Sequence, residues 1–184
     1  MIQPVPLDDF LRMCAAHFAG RVTECSVENG MRPRFGGTFK EHYKGKLGEL
    51  AFLKFCFENH IAVKHTPFRS DYSKLNKYDD FIINLLGLDF IVEVKTSEIE
   101  GPMNPDPKFR LFYNKGQYEA KQEYNYIVVF AGVNPAVTKI ALLGWIHAQD
   151  IAKFPVWKRN MQSPAYAIPV GELKEMKKLV EVES

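Results

Sequence analysis

Two apolar segments separated by one glycine constrain the fold of this chain most strongly. Residues 80–86 and 88–96 are rich in large apolar and β-branched side chains, and Gly87 stands between them. This pattern predicts an antiparallel β-hairpin. Residues 126–133 form another strongly apolar run, which is typical of a buried strand. The chain therefore contains the centre of a sheet that other elements must cover.

Helical periodicity predicts the elements that flank this sheet. Residues 44–59 are the clearest helix, because Leu47, Leu50, Ala51 and Phe55 recur at helical spacing. A short N-terminal helix is expected over residues 7–19, with Gly20 as its stop. Further helices are predicted at residues 114–123, 147–153 and 172–180. Further strands are predicted at residues 61–66, 140–146 and 165–170. Loops are predicted at residues 22–38, 70–77 and 100–107, the last of which holds three prolines.

The order of these elements predicts an α/β or α+β fold, in which a central mixed β-sheet is flanked by helices. The chain has 184 residues, which suit a single domain with a sizeable core. With 46% hydrophobic and 25% charged residues, the composition is that of a globular protein. No membrane-spanning run and no signal peptide are visible, so a cytoplasmic protein without a membrane partner is expected. Three cysteines without a Cys-x-x-Cys pair predict free thiols.

A glutamate and a lysine share one face of the second predicted hairpin strand. Side chains alternate along a strand, so Glu93 and Lys95 point to one side while Val92 and Val94 point to the other. Taken alone, this pattern also fits a solvent-facing ion pair on an edge strand. Asp80 opens the preceding strand, and a hairpin can bring it beside Glu93.

Another acid, Glu49, lies among apolar residues of the clearest helix, where a carboxylate needs a partner. One hydrated Mg²⁺ would give Glu49, Asp80 and Glu93 a shared partner, because Mg²⁺ favours carboxylates together with water and phosphate. Such an ion would activate water and polarise a phosphoryl oxygen. Lys95 would orient the attacking water and stabilise the developing negative charge. The set therefore predicts phosphodiester hydrolysis.

An acid in the first core helix, an Asp before a hairpin strand and Glu-x-Lys on the next strand together resemble the PD-(D/E)XK superfamily of restriction-endonuclease-like nucleases. The similarity covers roughly residues 44–133 of a single domain. Residues 1–43 would be an N-terminal extension, and residues 134–184 a C-terminal elaboration. The resemblance implies a core of a helix, a mixed sheet of about four strands and a second helix.

The same resemblance implies a Mg²⁺-dependent DNA endonuclease, in which Mn²⁺ would substitute for Mg²⁺. Asp80 and Glu93 would be metal ligands, Lys95 the third signature residue and Glu49 the helix acid seen in many members. The proline that nominally precedes the Asp is absent, and the doubled acid leaves Asp79 as an alternative ligand.

Many relatives also place a polar residue in the helix after the Lys strand. Gln117 is the residue expected in this role, with Gln122 as the alternative. The aromatic residues after the proline-rich loop are expected to pack in the core, with stacking on unpaired bases as the alternative; they are Phe109, Phe112, Tyr113 and Tyr118.

Basic residues in two short stretches predict the nucleic-acid contacts, although the formal net charge is only +2. These residues are Lys44, Lys46, Lys108, Arg110 and Lys115. The expected partner is DNA, in duplex, branched or single-stranded form. A homodimer would place two sites on a duplex. The alternative function is a catalytically inactive nucleic-acid-binding protein on the same fold.

Overall fold

Two β-sheets and five α-helices form the described part of the chain. The computed structural model describes residues 2–28, 38–68, 81–120, 125–158 and 163–181, with only the backbone at residues 25–28 and 120. The strands are β1 (Gln3–Val5), β2 (Ala62–His65), β3 (Phe81–Leu85), β4 (Leu88–Glu98), β5 (Arg110–Asn114), β6 (Tyr126–Val133), β7 (Ile140–His147), β8 (Val156–Trp157) and β9 (Ala165–Pro169). The helices are α1 (Asp9–Glu28), α2 (Phe39–Glu58), α3 (Lys115–Ala120), α4 (Ala148–Ile151) and α5 (Lys177–Val180).

The larger sheet is mixed, as the sequence predicts. Its six strands have the order β1-β7-β6-β4-β3-β2. β4 and β6 run parallel, and all other neighbouring pairs run antiparallel. The smaller sheet is antiparallel and has the order β5-β9-β8. The α/β prediction is confirmed, and the sheet is wider than the four strands that the resemblance implies.

β3 and β4 form the predicted hairpin around Gly87. The turn consists of Leu86 and Gly87, both with positive φ, at 53° and 81°. Two positive φ values are the geometry of a type I′ turn, whose twist matches that of the flanking strands. The side-chain oxygen of Asn84 accepts a hydrogen bond from the N–H of Gly87 at 3.2 Å. At the far end of the hairpin, pairing begins with Phe81 opposite Val92.

The larger sheet is covered differently on its two faces. On one face, α2 packs against the sheet and α1 packs against α2, with Phe52 of α2 and Val92 of β4 in the same apolar core. On the other face, the smaller sheet and α4 pack against it, with Leu111 of β5 and Val128 of β6 in a second core. The sequence predicts helices as the flanking elements. The second face is instead covered largely by the smaller sheet, of which the sequence predicts only β9, as the strand at residues 165–170.

The ends of several helices differ from prediction. α1 continues through Gly20 to Glu28, so the predicted stop at Gly20 is wrong. A single glycine weakens a helix by about 1 kcal/mol, and packing of the buried Ala15 and Ala19 offsets that cost. α2 begins earlier than predicted, at Phe39, where the hydroxyl of Thr38 accepts a hydrogen bond from the N–H of Glu41.

The closing helix is also much shorter than predicted. A 3-10 turn, Val170–Glu172, and the single turn of α5 stand in place of the helix expected over residues 172–180. The predicted loop at residues 70–77 lies outside the described residues. Among the described helices, none combines the length and apolarity needed to cross a membrane.

Candidate active site around Glu93

Glu93 and Lys95 lie on the face of β4 that is turned away from α2. Val92 packs in the core beneath α2, whereas Glu93 contacts residues of the opposite face. Glu93 is only 6% exposed, and β4 has a paired strand on each side. The predicted alternation of faces is therefore confirmed. The alternative interpretation, a solvent-facing ion pair on an edge strand, is wrong.

Among the described residues, three side-chain donors hold the carboxylate of Glu93. The ammonium of Lys95 lies 2.6 Å from Oε1. The hydroxyls of Tyr113 and Tyr126 both donate to Oε2, at 2.5 Å and 3.0 Å. The ammonium of Lys95 also lies 5.7 Å from the centroid of the Tyr113 ring. A buried carboxylate requires such partners, and here they engage both of its oxygens.

Glu93 lies one residue beyond the described pairing of β3 with β4. The two strands pair from Phe81 opposite Val92 down to the turn, and β4 pairs with β6 from Ile91 to Glu98. On the β6 side, the partner of Glu93 is Val128.

Helix α2 crosses β4 at this same stretch. A Cβ atom built on Gly48 would lie 2.0 Å from Oγ1 of Thr96. Only glycine permits so close an approach between a helix and a strand. Gly48 is followed by Glu49, so the crossing fixes the position of the predicted helix acid.

Glu49 forms an ion pair within α2. Its Oε2 lies 2.6 Å from the ammonium of Lys46, and the side chains of both residues are mostly buried. The ammonium of Lys46 also lies 5.4 Å from the centroid of the Phe68 ring, which in turn contacts the Phe81 ring at the start of β3. The Lys46–Glu49 pair therefore lies on the flank of α2 that is turned toward the start of β3.

The predicted metal ligands are described only in part. Asp80 and its alternative Asp79 lie outside the described residues. Among the described residues, no group of three or more His, Cys, Asp or Glu side chains could hold a metal ion. Glu49 and Glu93 supply carboxylate oxygens, the ligands that Mg²⁺ prefers, and each already has an ammonium group at 2.6 Å. Each acid has the donor chemistry of a cation ligand, but Glu49 belongs to α2 whereas Glu93 lies on the face of β4 turned away from α2.

Gln117, predicted as the polar helix residue, lies in the first turn of α3. Its backbone N–H donates to Oδ1 of Asn114 at 3.1 Å, which caps the start of this helix. α3 directly follows β5, the strand that carries Tyr113. Between the described side chains, no hydrogen bond joins Gln117 to Glu93 or Lys95. The predicted alternative, Gln122, lies outside the described residues.

Two of the five predicted nucleic-acid contacts are buried lysines that face acids. The ammonium of Lys46 pairs with Glu49, and that of Lys44 pairs with Glu98. The hydrogen bond between Lys44 and Glu98 raises the pKa of the Lys44 ammonium and lowers the pKa of the Glu98 carboxyl. The ammonium group of each lysine is therefore already paired with a carboxylate, and that pair would have to break before the lysine could contact a phosphate.

The other three predicted contacts lie nearer the surface, on or beside the smaller sheet. Lys108 and Arg110 are exposed, and the guanidinium of Arg110 lies 5.1 Å from the centroid of the Trp157 ring. Lys115 is partly exposed, and its ammonium lies 3.5 Å from Glu119. These residues retain the exposure that a phosphate contact needs.

The two tyrosines at Glu93 are the site residues that the sequence does not reveal as such. Tyr113 is expected to pack in the core, and it does so, but its hydroxyl also donates to Glu93. Tyr126 opens a strand whose other residues are apolar. A buried phenol usually requires a hydrogen-bond partner, so this residue does carry a signal in the sequence.

Comparison of this chain with protein-family models, with curated proteins and with solved structures finds no match. The functional interpretation therefore depends on the residues around Glu93.

Proposed function

We propose that this protein is a Mg²⁺-dependent DNA endonuclease that hydrolyses phosphodiester bonds at the site around Glu93. The observation that carries the proposal is the buried Glu93, paired with Lys95 at 2.6 Å. A buried ion pair adds little net stability, because desolvation of both charges offsets their attraction. A buried pair that contributes little to stability is therefore a candidate for a functional role.

The cation would be held by Glu93 and Asp80, with Asp79 as the alternative to Asp80, and Glu49 on α2 would hold a metal-bound water or a second ion. When bound, Mg²⁺ supplies a nucleophilic water at neutral pH and stabilises negative charge on the phosphoryl oxygens. Glu93 is nearly sealed from solvent, so its carboxylate is held in place before any substrate arrives. Such preorganisation is what electrostatic catalysis requires.

Lys95 is the residue of the pair that can reach a substrate. Its side chain is 28% exposed, against 7% for that of Glu93, and its ammonium carries three donors. It can orient the attacking water and stabilise the charge that develops on the phosphate. Lys46 holds Glu49 in the same way that Lys95 holds Glu93.

DNA would reach the site along the exposed basic residues of the smaller sheet and its flanks. Lys108, Arg110 and Lys115 can neutralise phosphates, which supply most of the affinity in nucleic-acid binding. The buried Lys44 and Lys46 act on acids of the protein instead. A symmetric dimer remains the natural arrangement if both strands of a duplex are cut.

Cleavage assays test this proposal directly. The protein is incubated with supercoiled plasmid, single strands and branched DNA, with Mg²⁺, Mn²⁺ or EDTA. We expect metal-dependent cutting that Lys95→Ala and Asp80→Ala both abolish. Lys153→Ala is the matched control, because Lys153 is an exposed lysine that also pairs with an acid, Asp150. Cutting that persists in EDTA, or in Lys95→Ala, would refute the proposed mechanism.

A second candidate is a nucleic-acid-binding protein on the same fold without catalytic activity. The observation that favours it is that groups of the protein already engage both oxygens of Glu93. An acid satisfied in this way is stable without an ion. Binding of DNA without cutting, on every substrate and with every metal, would support this candidate over the nuclease.

A further inference from the structure

Two tyrosines from different sheets converge on one oxygen of Glu93. Tyr113 belongs to β5 of the smaller sheet, and Tyr126 belongs to β6 of the larger sheet. Their hydroxyls donate to the same atom, Oε2, at 2.5 Å and 3.0 Å. Oε1 faces the ammonium of Lys95. The two oxygens of this carboxylate therefore have different partners.

This asymmetry fixes how the carboxylate can bind a cation. Each carboxylate oxygen offers about two lone-pair directions. Two hydroxyl donors occupy those of Oε2 and prevent the group from rotating, so Oε1 is the oxygen that stays directed toward Lys95. Rotation of the carboxylate would break both hydroxyl bonds inside a buried site, which is costly.

Packing makes the two tyrosines rigid supports. Tyr113 is 1% exposed and Tyr126 is 3% exposed, and both belong to the core between the two sheets. Phenylalanine would fill the same space without a polar atom to satisfy. The hydroxyls therefore have a use beyond packing, and Glu93 is the acceptor that both of them share.

We infer that Tyr113 and Tyr126 are positioning residues, which hold Glu93 so that Oε1 is presented to the divalent cation of the proposed nuclease site. The inference rests on the proposed function. It also gives a role to the C-terminal part of the chain, because β5 is paired along its whole length with β9. The strand that carries Tyr113 is thus held in place by β9, which lies outside the predicted nuclease core at residues 44–133.

The test uses the full-length protein and Tyr113→Phe, which removes only the hydroxyl. Tyr166→Phe is the matched control, since Tyr166 is also buried and pairs directly with Tyr113 across β5 and β9. Binding of Mn²⁺ alone is measured by calorimetry, with Glu93→Gln to identify the site. Single-turnover and steady-state cleavage give kcat and KM. Thermal unfolding verifies that each variant folds, and Tyr126→Phe replaces Tyr113→Phe if that variant does not.

We expect Tyr113→Phe to weaken Mn²⁺ binding and to lower kcat, each by about tenfold or more, as is usual for residues that support a metal ligand. KM for DNA should stay within twofold, because the hydroxyl does not touch the substrate. Tyr166→Phe should match the wild type in all three measurements. A merely structural role for Tyr113 would lower the thermal midpoint and leave the Mn²⁺ affinity of the folded protein unchanged.

The outcomes separate this inference from the proposed function. Wild-type levels of Mn²⁺ binding and kcat in Tyr113→Phe overturn the inference alone. Mn²⁺ binding that Glu93→Gln abolishes, without cleavage of any DNA, overturns the nuclease proposal, and the Mn²⁺ affinity of Tyr113→Phe then decides the inference. Equal Mn²⁺ binding by wild type and Glu93→Gln overturns both.

Discussion

The two faces of β4 carry opposite kinds of side chain, although they alternate along one strand. One face presents Val92, Val94 and Thr96 to helix α2. The other face presents Glu93 and Lys95 to the core between the sheets. The first face is packed as an apolar interior is packed. The second places a charged pair where an apolar interior would also have been possible.

The difference teaches which face stabilises the fold and which face can do chemistry. A fully buried aliphatic side chain such as Val92 contributes about 1.5–3 kcal/mol. A buried ion pair contributes little, because desolvation offsets the attraction. Substitutions on the α2 face should therefore change the free energy of unfolding, and substitutions on the Glu93 face should change turnover.

The largest effect expected is on cleavage by Glu93→Gln. Replacing the carboxylate by an amide removes the negative charge at the proposed cation site while keeping the shape of the side chain. We expect the single-turnover rate to fall by about 10³-fold, the scale on which loss of one preorganised group acts. Quenched-flow cleavage of a labelled duplex in Mg²⁺ measures it.

Glu98→Gln is the matched control on the same strand. Glu98 also accepts a lysine, Lys44, but it lies at the end of β4 and is partly exposed. Its substitution should change the cleavage rate by less than about twofold, in line with the small effect of exposed pairs. Equal losses of cleavage rate in Glu93→Gln and Glu98→Gln would contradict a special role for Glu93. The rate would then respond to any charge change along β4.

The next effect expected is on stability, at the crossing of α2 and β4. A methyl group added to Gly48 would lie 2.0 Å from Oγ1 of Thr96 and 3.3 Å from Cβ of Ala131. Gly48→Ala should therefore force the helix away from the sheet, at a cost of about 2 kcal/mol in the free energy of unfolding. Urea denaturation of the purified variant measures this loss.

Gly45→Ala should change the free energy of unfolding in the opposite direction, although it lies in the same helix. Nothing lies within 4 Å of a Cβ built on Gly45. Alanine is the better helix former, so this variant should be more stable than wild type, by up to about 1 kcal/mol. If both alanine variants shift the midpoint in the same direction, close packing of α2 on β4 is not what Gly48 provides.

The local part of the fold could be predicted from the sequence, because its signals are local. The Gly87 turn and the alternation of Glu93 and Lys95 depend on neighbours along one strand. Of the smaller sheet only β9 could be predicted, as the strand expected at residues 165–170, since β5 and β8 have only five and two residues. The extension of α1 past Gly20 could not be predicted, because it depends on packing against another helix.

The candidate site, like the fold, could be predicted only where its signals are local in sequence. The shared face of Glu93 and Lys95 follows from strand geometry, but the tyrosine donors to Glu93 come from strands 20 and 33 residues away in sequence. The burial of Lys44 depends on Glu98, 54 residues away. No local pattern encodes such distances. Lys46 and Glu49, by contrast, are an i,i+3 pair that the helix itself places together.

A smaller effect is expected from the outer face of β5, which is turned away from Tyr113. Arg110 is exposed on that face and Lys108 is exposed in the turn before β5, whereas Tyr113 on the inner face is buried. Reversing both charges, in Lys108→Glu with Arg110→Glu, should weaken DNA binding about tenfold at 0.15 M salt. The slope of log K against log salt should become shallower by about 1 to 2, because two phosphate contacts are lost.

Fluorescence anisotropy of a labelled duplex at several salt concentrations measures both quantities. Lys177→Glu is the control, since Lys177 is an exposed lysine of α5 that has an acidic neighbour, Glu175. An unchanged slope in the double variant would remove the outer face of β5 from the DNA interface. That result would not bear on the proposed role of Glu93, which is tested by the cleavage rate.

The smallest effect expected is a pH dependence of stability that tests whether the α2 face is an apolar interior. Burial in that face raises the pKa of the Cys56 thiol from an ordinary 9.0 to about 12. Between these values the unfolded chain loses the thiol proton and the folded protein keeps it. The stabilising contribution of the neutral thiol is therefore complete below pH 9 and is lost as the pH rises from 9 toward 12, at up to about 1 kcal/mol per pH unit.

Urea denaturation at pH 8.5, 9.5 and 10.5 measures this decline. Cys56→Ala should lose stability less steeply than wild type over this range, because the variant has no thiol to ionise at that position. Cys14→Ala should follow the wild-type slope, since Cys14 is only partly buried and retains Cys56 in the core. Parallel slopes for wild type and Cys56→Ala would mean that water reaches the α2 face. The two faces of β4 would then differ in charge but not in their separation from solvent.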